Sequence, residues 1–226
     1  MAEPETVITI DVPSGRLEAV AAVKAGGVES VRFRNVPSFV YAEGLPVETS
    51  AGPVAADVAF GGAFYTCVAA QEVGLGLEAA NLADFIGLGR EIKNSINEAQ
   101  EISHPLEPRL RDVYGTIFFA EEEGGGALRQ RNVTVFADGE VDRSPCGSGT
   151  SARLALLDNS GRLARGDTLS HESIIGTKFE GRVVGETRVG EFGAVITEVE
   201  GSAYLTGYHQ FVLQGDDPLG TGFLLR

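Results

Sequence analysis

The chain has 226 residues, of which 43% are hydrophobic and 22% charged, and its formal net charge is -14. This composition is typical of a folded, soluble protein with a sizeable core. The negative charge argues against nucleic acid or an anionic membrane surface as a partner, because both need clustered Lys and Arg. No apolar run reaches the roughly 20 residues that span a bilayer, and the start MAEPETVITIDV lacks the layout of a signal peptide, so we expect a cytoplasmic location.

The first third of the chain is predicted to be rich in β-strands. Val31 and Phe33 alternate with Arg32 and Arg34, while Gly, Pro and Ser separate the apolar segments. This pattern is typical of half-buried strands. The predicted strand segments are 6–12, 16–23, 29–36 and 54–70.

The rest of the chain alternates between helices and strands. Residues 77–100 predict a helix, because their apolar residues recur mostly three to six positions apart, and Pro105 and Pro108 follow its end. The further predictions are strands at 112–120, 129–139, 173–184, 193–201 and 203–214, an acidic turn at 121–126 and a second helix starting at 144–146. This order indicates an α/β (α+β) fold in which sheets wrap helices.

The second predicted helix begins in the stretch DRSPCGSGTSARLALL, residues 142–157. Ser144 is predicted to be its N-cap and Pro145 its first residue, which places Cys146 in the first turn. The helix dipole and the free N–H groups of that turn would lower the pKa of a thiol toward neutrality. Later in the helix, an apolar stripe would face the core; its members are Ala152, Ala155 and Leu156, and it is widened by Leu154 and Leu157.

Two glycines interrupt this first turn, at a cost of roughly 1 kcal/mol each relative to alanine. No packing reason for them is evident from the sequence, and they would let a ligand approach the backbone of Gly147, Ser148 and Gly149, whose N–H groups suit a carboxylate. Asp142 supplies an anion for an ammonium group. The residues therefore indicate an amino-acid site beside the Cys146 thiol; the alternative is a small buried cysteine at a turn.

At these residues the sequence resembles the second catalytic motif of the proline racemase family. That family includes 4-hydroxyproline 2-epimerases and trans-3-hydroxy-L-proline dehydratases. Further similar segments follow in the expected order, so the resemblance covers essentially the whole chain. These segments are NVPSFV (35–40), DVAFGGAFY (57–65), HESIIGTKFEGRV (171–183) and TGYHQFVLQGDDPLGTGF (206–223).

The resemblance implies a cofactor-independent enzyme with two pseudo-symmetric lobes, related to diaminopimelate epimerase, that closes on a small amino acid. Cys146 would be the acid/base of the second lobe, Asp142 would hold the substrate nitrogen, and Gly147 and Ser148 would bind its carboxylate. Neither a metal nor another cofactor is expected, and a homodimer stays open. We place the remainder of the first lobe at 1–106 and the second lobe at 107–226, with the option that the last strands return to the first lobe.

One part of the family pattern is missing. A cysteine or serine followed by Gly-His is expected ahead of VITIDVPSG, but neither CGH nor SGH occurs in the sequence. We therefore expect an incomplete first lobe and impaired racemisation by the chain alone. The other cysteine, Cys67, lies in an apolar segment and is predicted to be a core residue. His171 is predicted to be structural, and Tyr65 to belong to the core or to a substrate pocket.

The leading functional prediction is an isomerase that acts on proline or 4-hydroxyproline through thiol-mediated transfer of the α-proton. A dehydratase of trans-3-hydroxy-L-proline is an alternative, since elimination also begins with α-proton removal. A second alternative is a catalytically silent family member that only binds an amino acid.

Overall fold

The computed structural model describes residues 3–122 and 128–222. The strands of this part of the chain are β1 (Glu5–Val12), β2 (Gly15–Lys24), β3 (Gly27–Arg34), β4 (Ser38–Thr49), β5 (Gly52–Phe60), β6 (Phe64–Ala69), β7 (Ser103–His104), β8 (Glu107–Arg111), β9 (Val113–Glu122), β10 (Leu128–Phe136), β11 (Glu140–Val141), β12 (Thr168–Ser173), β13 (Lys178–Val189) and β14 (Phe192–Gly201). The helices are α1 (Leu82–Ala99), α2 (Gly147–Asn159) and two short 3-10 helices at Ala70–Val73 and Ala79–Asn81. The predicted mixed α/β class is confirmed.

Eight strands close into a barrel. Their order is β14-β13-β12-β10-β9-β6-β5-β4, and β4 pairs back onto β14 where Ala194 faces Phe39 and Val195 faces Ser38. The pairs β6–β9 and β10–β12 are parallel, and parallel neighbours need a crossover connection. Helix α1 lies in the first crossover and α2 in the second. Strands β1 to β3 extend the sheet outward from β14.

Helix α2 runs inside this barrel. All nine residues from Gly149 to Leu157 are buried, and the helix packs against β4, β5, β6, β13 and β14. Side chains of α2 also reach the three remaining barrel strands, at Phe119 of β9, Gln130 of β10 and His171 of β12. The predicted buried residues of this helix are confirmed, but burial is not confined to one stripe, because Thr150, Ser151 and Arg153 are buried as well.

Helix α1 packs on the outer face of the same strands. The rings of Phe85 and Phe118 lie 4.9 Å apart between centroids, and a Cβ on Gly89 would come within 2.9 Å of Val135. Side chains alternate between the two faces of a strand. One set of alternate residues of β9 and β10 therefore packs against α1, and the other set, which includes Phe119 and Gln130, faces α2.

Most predicted elements are confirmed, but four regions differ. Segment 54–70 is two strands joined by a Gly-Gly turn, and 173–184 spans the end of β12, a turn and the start of β13. Strand β4 was not predicted; its pairing with β5 is irregular between Val40 and Ala42 and between Ala42 and Leu45. Beyond Glu122, the predicted acidic turn lies outside the described residues.

The predicted strand at 203–214 is wrong. Residues 202–219 are exposed and form no strand, and Tyr208 and Phe211 are 91% and 92% exposed. β-propensity alone does not supply a pairing partner, and within the described chain no strand pairs with this segment. The barrel combines strands from both sides of residues 106 and 107, and the lobe boundary placed there stays a prediction.

Candidate active site

Cys146 occupies an uncommon backbone conformation at the start of α2. The helix begins at Gly147, and Cys146 is its N-cap, with φ of 67° and ψ of 114°. Its own Sγ accepts a hydrogen bond from the N–H of Gly149, at 3.3 Å. The predictions of Ser144 as N-cap and Pro145 as first helical residue are therefore wrong. A positive φ is unfavourable for a residue with a side chain and persists only where the surroundings enforce it.

Buried hydrogen bonds fix the backbone just before Cys146. The carbonyl of Pro145 accepts from Asn132 Nδ2 at 2.8 Å and from Thr150 Oγ1 at 3.4 Å. The Thr150 hydroxyl also lies 2.9 Å from His171 Nδ1. Burial, reinforced by the charge of Arg153, lowers the pKa of His171 to about 3, so this histidine is neutral.

The residues before Cys146 are held by side-chain hydrogen bonds. Ser144 Oγ accepts from the N–H of Cys146 at 3.0 Å. Asp142 Oδ1 in turn accepts from the N–H and the hydroxyl of Ser144, at 2.8 and 2.9 Å. Ser144 thus fixes the entry to α2, although it caps no helical N–H.

Segments that are far apart in sequence meet at this helix start. A Cβ on Gly61 would lie 2.2 Å from the carbonyl oxygen of Ser148 and 2.6 Å from the nitrogen of Ala152, so only glycine allows this approach. Asn35 Nδ2 donates to the Gly61 carbonyl at 2.7 Å. At Gly62, with φ of 107°, a Cβ would come within 3.3 Å of an oxygen in the β1–β2 turn. The NVPSFV and DVAFGGAFY segments therefore form part of the same site.

A tyrosine hydroxyl completes the surroundings of the thiol. Tyr65 Oη lies 2.8 Å from Ser148 Oγ and 3.6 Å from Cys146 Sγ, and Ser148 Oγ lies 3.7 Å from the same sulfur. The sequence interpretation left Tyr65 between core and pocket and missed this contact. Alternation along β6 was the available signal, since Phe64 packs in the outer core whereas Tyr65 and Cys67 join the cluster around Cys146.

The electrostatics of the thiol differ from the prediction. Burial raises the pKa of Cys146, and the negative charge of Asp142 raises it further. Hydrogen bonds from Tyr65, the Gly149 N–H and Ser148 act in the opposite direction. The predicted net lowering of this pKa is wrong because a helix N-terminus enclosed in a barrel removes water from the thiolate.

The predicted binding groups surround the thiol. The N–H groups of Gly147 and Ser148 have no hydrogen-bond acceptor in the described chain, while that of Gly149 is used by Cys146 Sγ. Asp142 has no ion-pair partner there either. The glycines also have packing reasons, which corrects the prediction that they had none. A Cβ on Gly147 would lie 3.0 Å from the Phe33 ring, and one on Gly149 would lie 2.9 Å from Ile117.

Cys67 is a core residue, as predicted. It is 1% exposed, and burial raises the pKa of its thiol to about 11, although nearby Arg153 partly offsets this. Over residues 3–122 and 128–222, no three His, Cys, Asp or Glu side chains are grouped so that they could hold a metal ion. In the same residues, neither helix combines the length and apolarity needed to cross a membrane.

Comparison with known proteins places these residues in a family. The family described as proline racemase matches residues 1–224 of the chain. The chain belongs to the proline racemase family. It is 46% identical over 216 residues to a trans-3-hydroxy-L-proline dehydratase of Bacillus thuringiensis, covering 96% of this chain and 64% of the relative. It is 39% identical over 225 residues to a proline racemase of Clostridioides difficile, covering 99% and 67%.

A solved structure of a hydroxyproline epimerase has the same fold. A hydroxyproline epimerase of Agrobacterium vitis, crystallised with trans-4-hydroxy-L-proline, superposes with a TM-score of 0.92 at 38% identity and covers 100% of this chain and 64% of its own. The chain thus spans about two thirds of the length of these relatives.

Proposed function

We propose that this member of the proline racemase family forms one face of an active site that isomerises proline or 4-hydroxyproline at the α-carbon. The observation that carries the proposal is the grouping of three complementary features at the start of α2. These features are the free N–H groups of Gly147 and Ser148, the carboxylate of Asp142 and the sulfur of Cys146. An amino acid presents a carboxylate, an ammonium group and an α-proton, and the grouping offers a partner to each.

In the proposed step, the Cys146 thiolate takes the α-proton. The C–H bond breaks, an S–H bond forms, and the electron pair stays on the α-carbon and spreads into the substrate carboxylate. The N–H groups of Gly147 and Ser148 stabilise the negative charge that develops there. Inversion requires a proton donor on the opposite face of the α-carbon, and Cys67 does not fill that role because its thiol lies in the core.

The similarity to known family members supports both the reaction and the substrate class. One relative is named a proline racemase, and one solved structure is a hydroxyproline epimerase that holds trans-4-hydroxy-L-proline. A second candidate function is favoured by the relatives named trans-3-hydroxy-L-proline dehydratase, which reach 46% identity. Dehydration also fits the geometry, because one base that removes the α-proton suffices if the 3-hydroxyl then leaves.

Proton NMR in D₂O distinguishes these reactions. L-proline, trans-4-hydroxy-L-proline and trans-3-hydroxy-L-proline are each incubated with this chain and with a version extended upstream of Met1. We expect deuterium at the α-carbon together with the opposite enantiomer or epimer. Loss of the 3-hydroxyl would assign the dehydratase instead. If both proteins are folded and no substrate changes, the proposal is overturned in favour of a family member that only binds an amino acid.

Asp142→Asn is expected to weaken substrate binding about tenfold, because the negative charge that would strengthen the hydrogen bond to the substrate ammonium group is lost. The same change is expected to lower the pKa of Cys146, since it removes a negative charge that disfavours the thiolate. Asparagine keeps the Oδ1 acceptor that Ser144 uses. Substrate titration and the pH dependence of alkylation by iodoacetamide measure the two effects.

Asp167→Asn is the matched control for this prediction, because it removes the same charge from an exposed loop position. It should change neither the affinity nor the alkylation profile. Unchanged affinity in Asp142→Asn would remove Asp142 from the substrate site.

A further inference from the structure

The side chains of Cys146, Tyr65 and Ser148 can form a closed circuit of hydrogen bonds. The sides of the triangle are 3.6 Å from Cys146 Sγ to Tyr65 Oη, 2.8 Å from Tyr65 Oη to Ser148 Oγ and 3.7 Å from Ser148 Oγ to Cys146 Sγ. A thiol, a phenol and a serine hydroxyl each have one proton to donate and at least one lone pair to accept. In the thiol state, every member can therefore donate once and accept once.

We propose that Tyr65, together with the side chain of Ser148, is a catalytic hydrogen-bond donor that stabilises the Cys146 thiolate. This inference rests on the proposed function in taking Cys146 as the base, but it assigns roles to two side-chain hydroxyls beyond the backbone contacts proposed for the substrate. Tyr65 qualifies as catalytic because its hydroxyl lies against the reacting sulfur.

The circuit accommodates both protonation states without moving a heavy atom. With the proton on sulfur, the thiol donates to Tyr65, Tyr65 donates to Ser148, and Ser148 donates to the sulfur. When the sulfur gives up its proton, the phenol hydrogen turns from Ser148 to the sulfur, and the Ser148 hydrogen already points there. The thiolate then has two hydroxyl donors in addition to the fixed N–H of Gly149.

Burial makes these donors important. Cys146 is 6% exposed and Tyr65 is 2% exposed, so within the described chain water is largely excluded from the sulfur and the phenol. A charged sulfur that lost these donors would bear most of its desolvation cost. Tyr65 itself stays protonated as a donor, because burial and the neighbouring thiolate both raise the pKa of its phenol.

The other titratable groups around the thiol do not replace Tyr65. The charge of Asp142, on the loop before α2, opposes the thiolate. Cys67 on β6 has its own pKa raised, and Tyr114 on β9 has its pKa raised by burial and by the Cys146 charge. The ring of Tyr114 packs edge-on against Tyr65 at 6.1 Å between centroids, but its hydroxyl has no hydrogen bond to Cys146 in the described chain.

The test measures thiolate formation and not turnover. Alkylation of Cys146 by iodoacetamide is followed by mass spectrometry of the Cys146 peptide across a pH series. Tyr65→Phe is expected to slow alkylation at neutral pH about tenfold, because a hydrogen bond to a charged group is lost. The rate plateau at high pH should stay close to that of the unchanged chain, since access to the sulfur is not altered.

Tyr114→Phe is the matched control, because it removes the same hydroxyl from the adjacent ring; its alkylation profile should be unchanged. Ser148→Ala provides a second, smaller side-chain deletion and should shift the profile in the same direction as Tyr65→Phe. A Tyr65→Phe profile that overlays the unchanged one, or a Ser148→Ala profile that does so if Tyr65→Phe does not fold, overturns the proposal. Because alkylation needs no substrate, this result is independent of whether α-proton exchange is found.

Discussion

Replacing Cys146 with serine is expected to reduce α-proton exchange by about 10²- to 10⁴-fold, the usual contribution of a positioned general base. A serine hydroxyl is a far weaker acid than a thiol, so it has almost no basic alkoxide at neutral pH. The hydrogen bonds from Tyr65, Ser148 and the Gly149 N–H favour the charged form at this position. They are too weak to make up for the difference in acidity between a serine hydroxyl and a thiol. The measurement is the rate at which deuterium enters the α-position of proline or hydroxyproline in D₂O.

Cys67→Ala is the control for this loss. It removes the other thiol from the same apolar cluster, and alanine keeps that position apolar. Its exchange rate should stay within a few-fold of the unchanged chain. Exchange that survives in Cys146→Ser at the original rate would show that another group removes the α-proton.

The sequence predicted most strands and both helices, but not the enclosure of α2. Alternating apolar residues such as Val31 and Phe33 identify a half-buried strand whatever its position in the sheet. The burial of Thr150 and Arg153 on α2 could not be predicted, because the polar group of each side chain interacts with a residue of a barrel strand that is distant in sequence. Thr150 pairs with His171, and the Arg153 guanidinium lies 3.6 Å over the Phe119 ring.

For the candidate site too, local features could be predicted from the sequence, whereas contacts between distant residues could not. Local sequence pointed to Cys146, Asp142, Gly147 and Ser148, and the structure places these residues together, while their roles stay predictions. The direction of the thiol pKa was mispredicted because a helix dipole is visible in sequence, whereas desolvation by surrounding strands is not. The contact of Tyr65 with the thiol was missed for a related reason, since it joins residues 81 positions apart.

Gly61→Ala is expected to destabilise the protein by roughly 3 kcal/mol or more, because overpacking of a tight contact typically costs 1–3 kcal/mol and here the obstacle is backbone. The new Cβ would stand 2.2 Å from the Ser148 carbonyl oxygen, so either the β5–β6 turn or the first turn of α2 must move. Movement of the first turn of α2 displaces the N–H groups of Gly147 and Ser148 from Cys146. Urea unfolding measures the loss of stability, and α-proton exchange measures the displacement.

Gly87→Ala separates this steric effect from the general effect of adding a methyl group. Gly87 lies on α1, and a Cβ there would meet nothing within 4 Å. Alanine in a helix is favoured over glycine by about 1 kcal/mol, so this variant should be slightly more stable and equally active. A Gly61→Ala protein with the original unfolding midpoint and exchange rate would refute the close approach of the two turns. Loss of exchange without loss of stability would mean that the protein absorbs the methyl group by moving the first turn of α2.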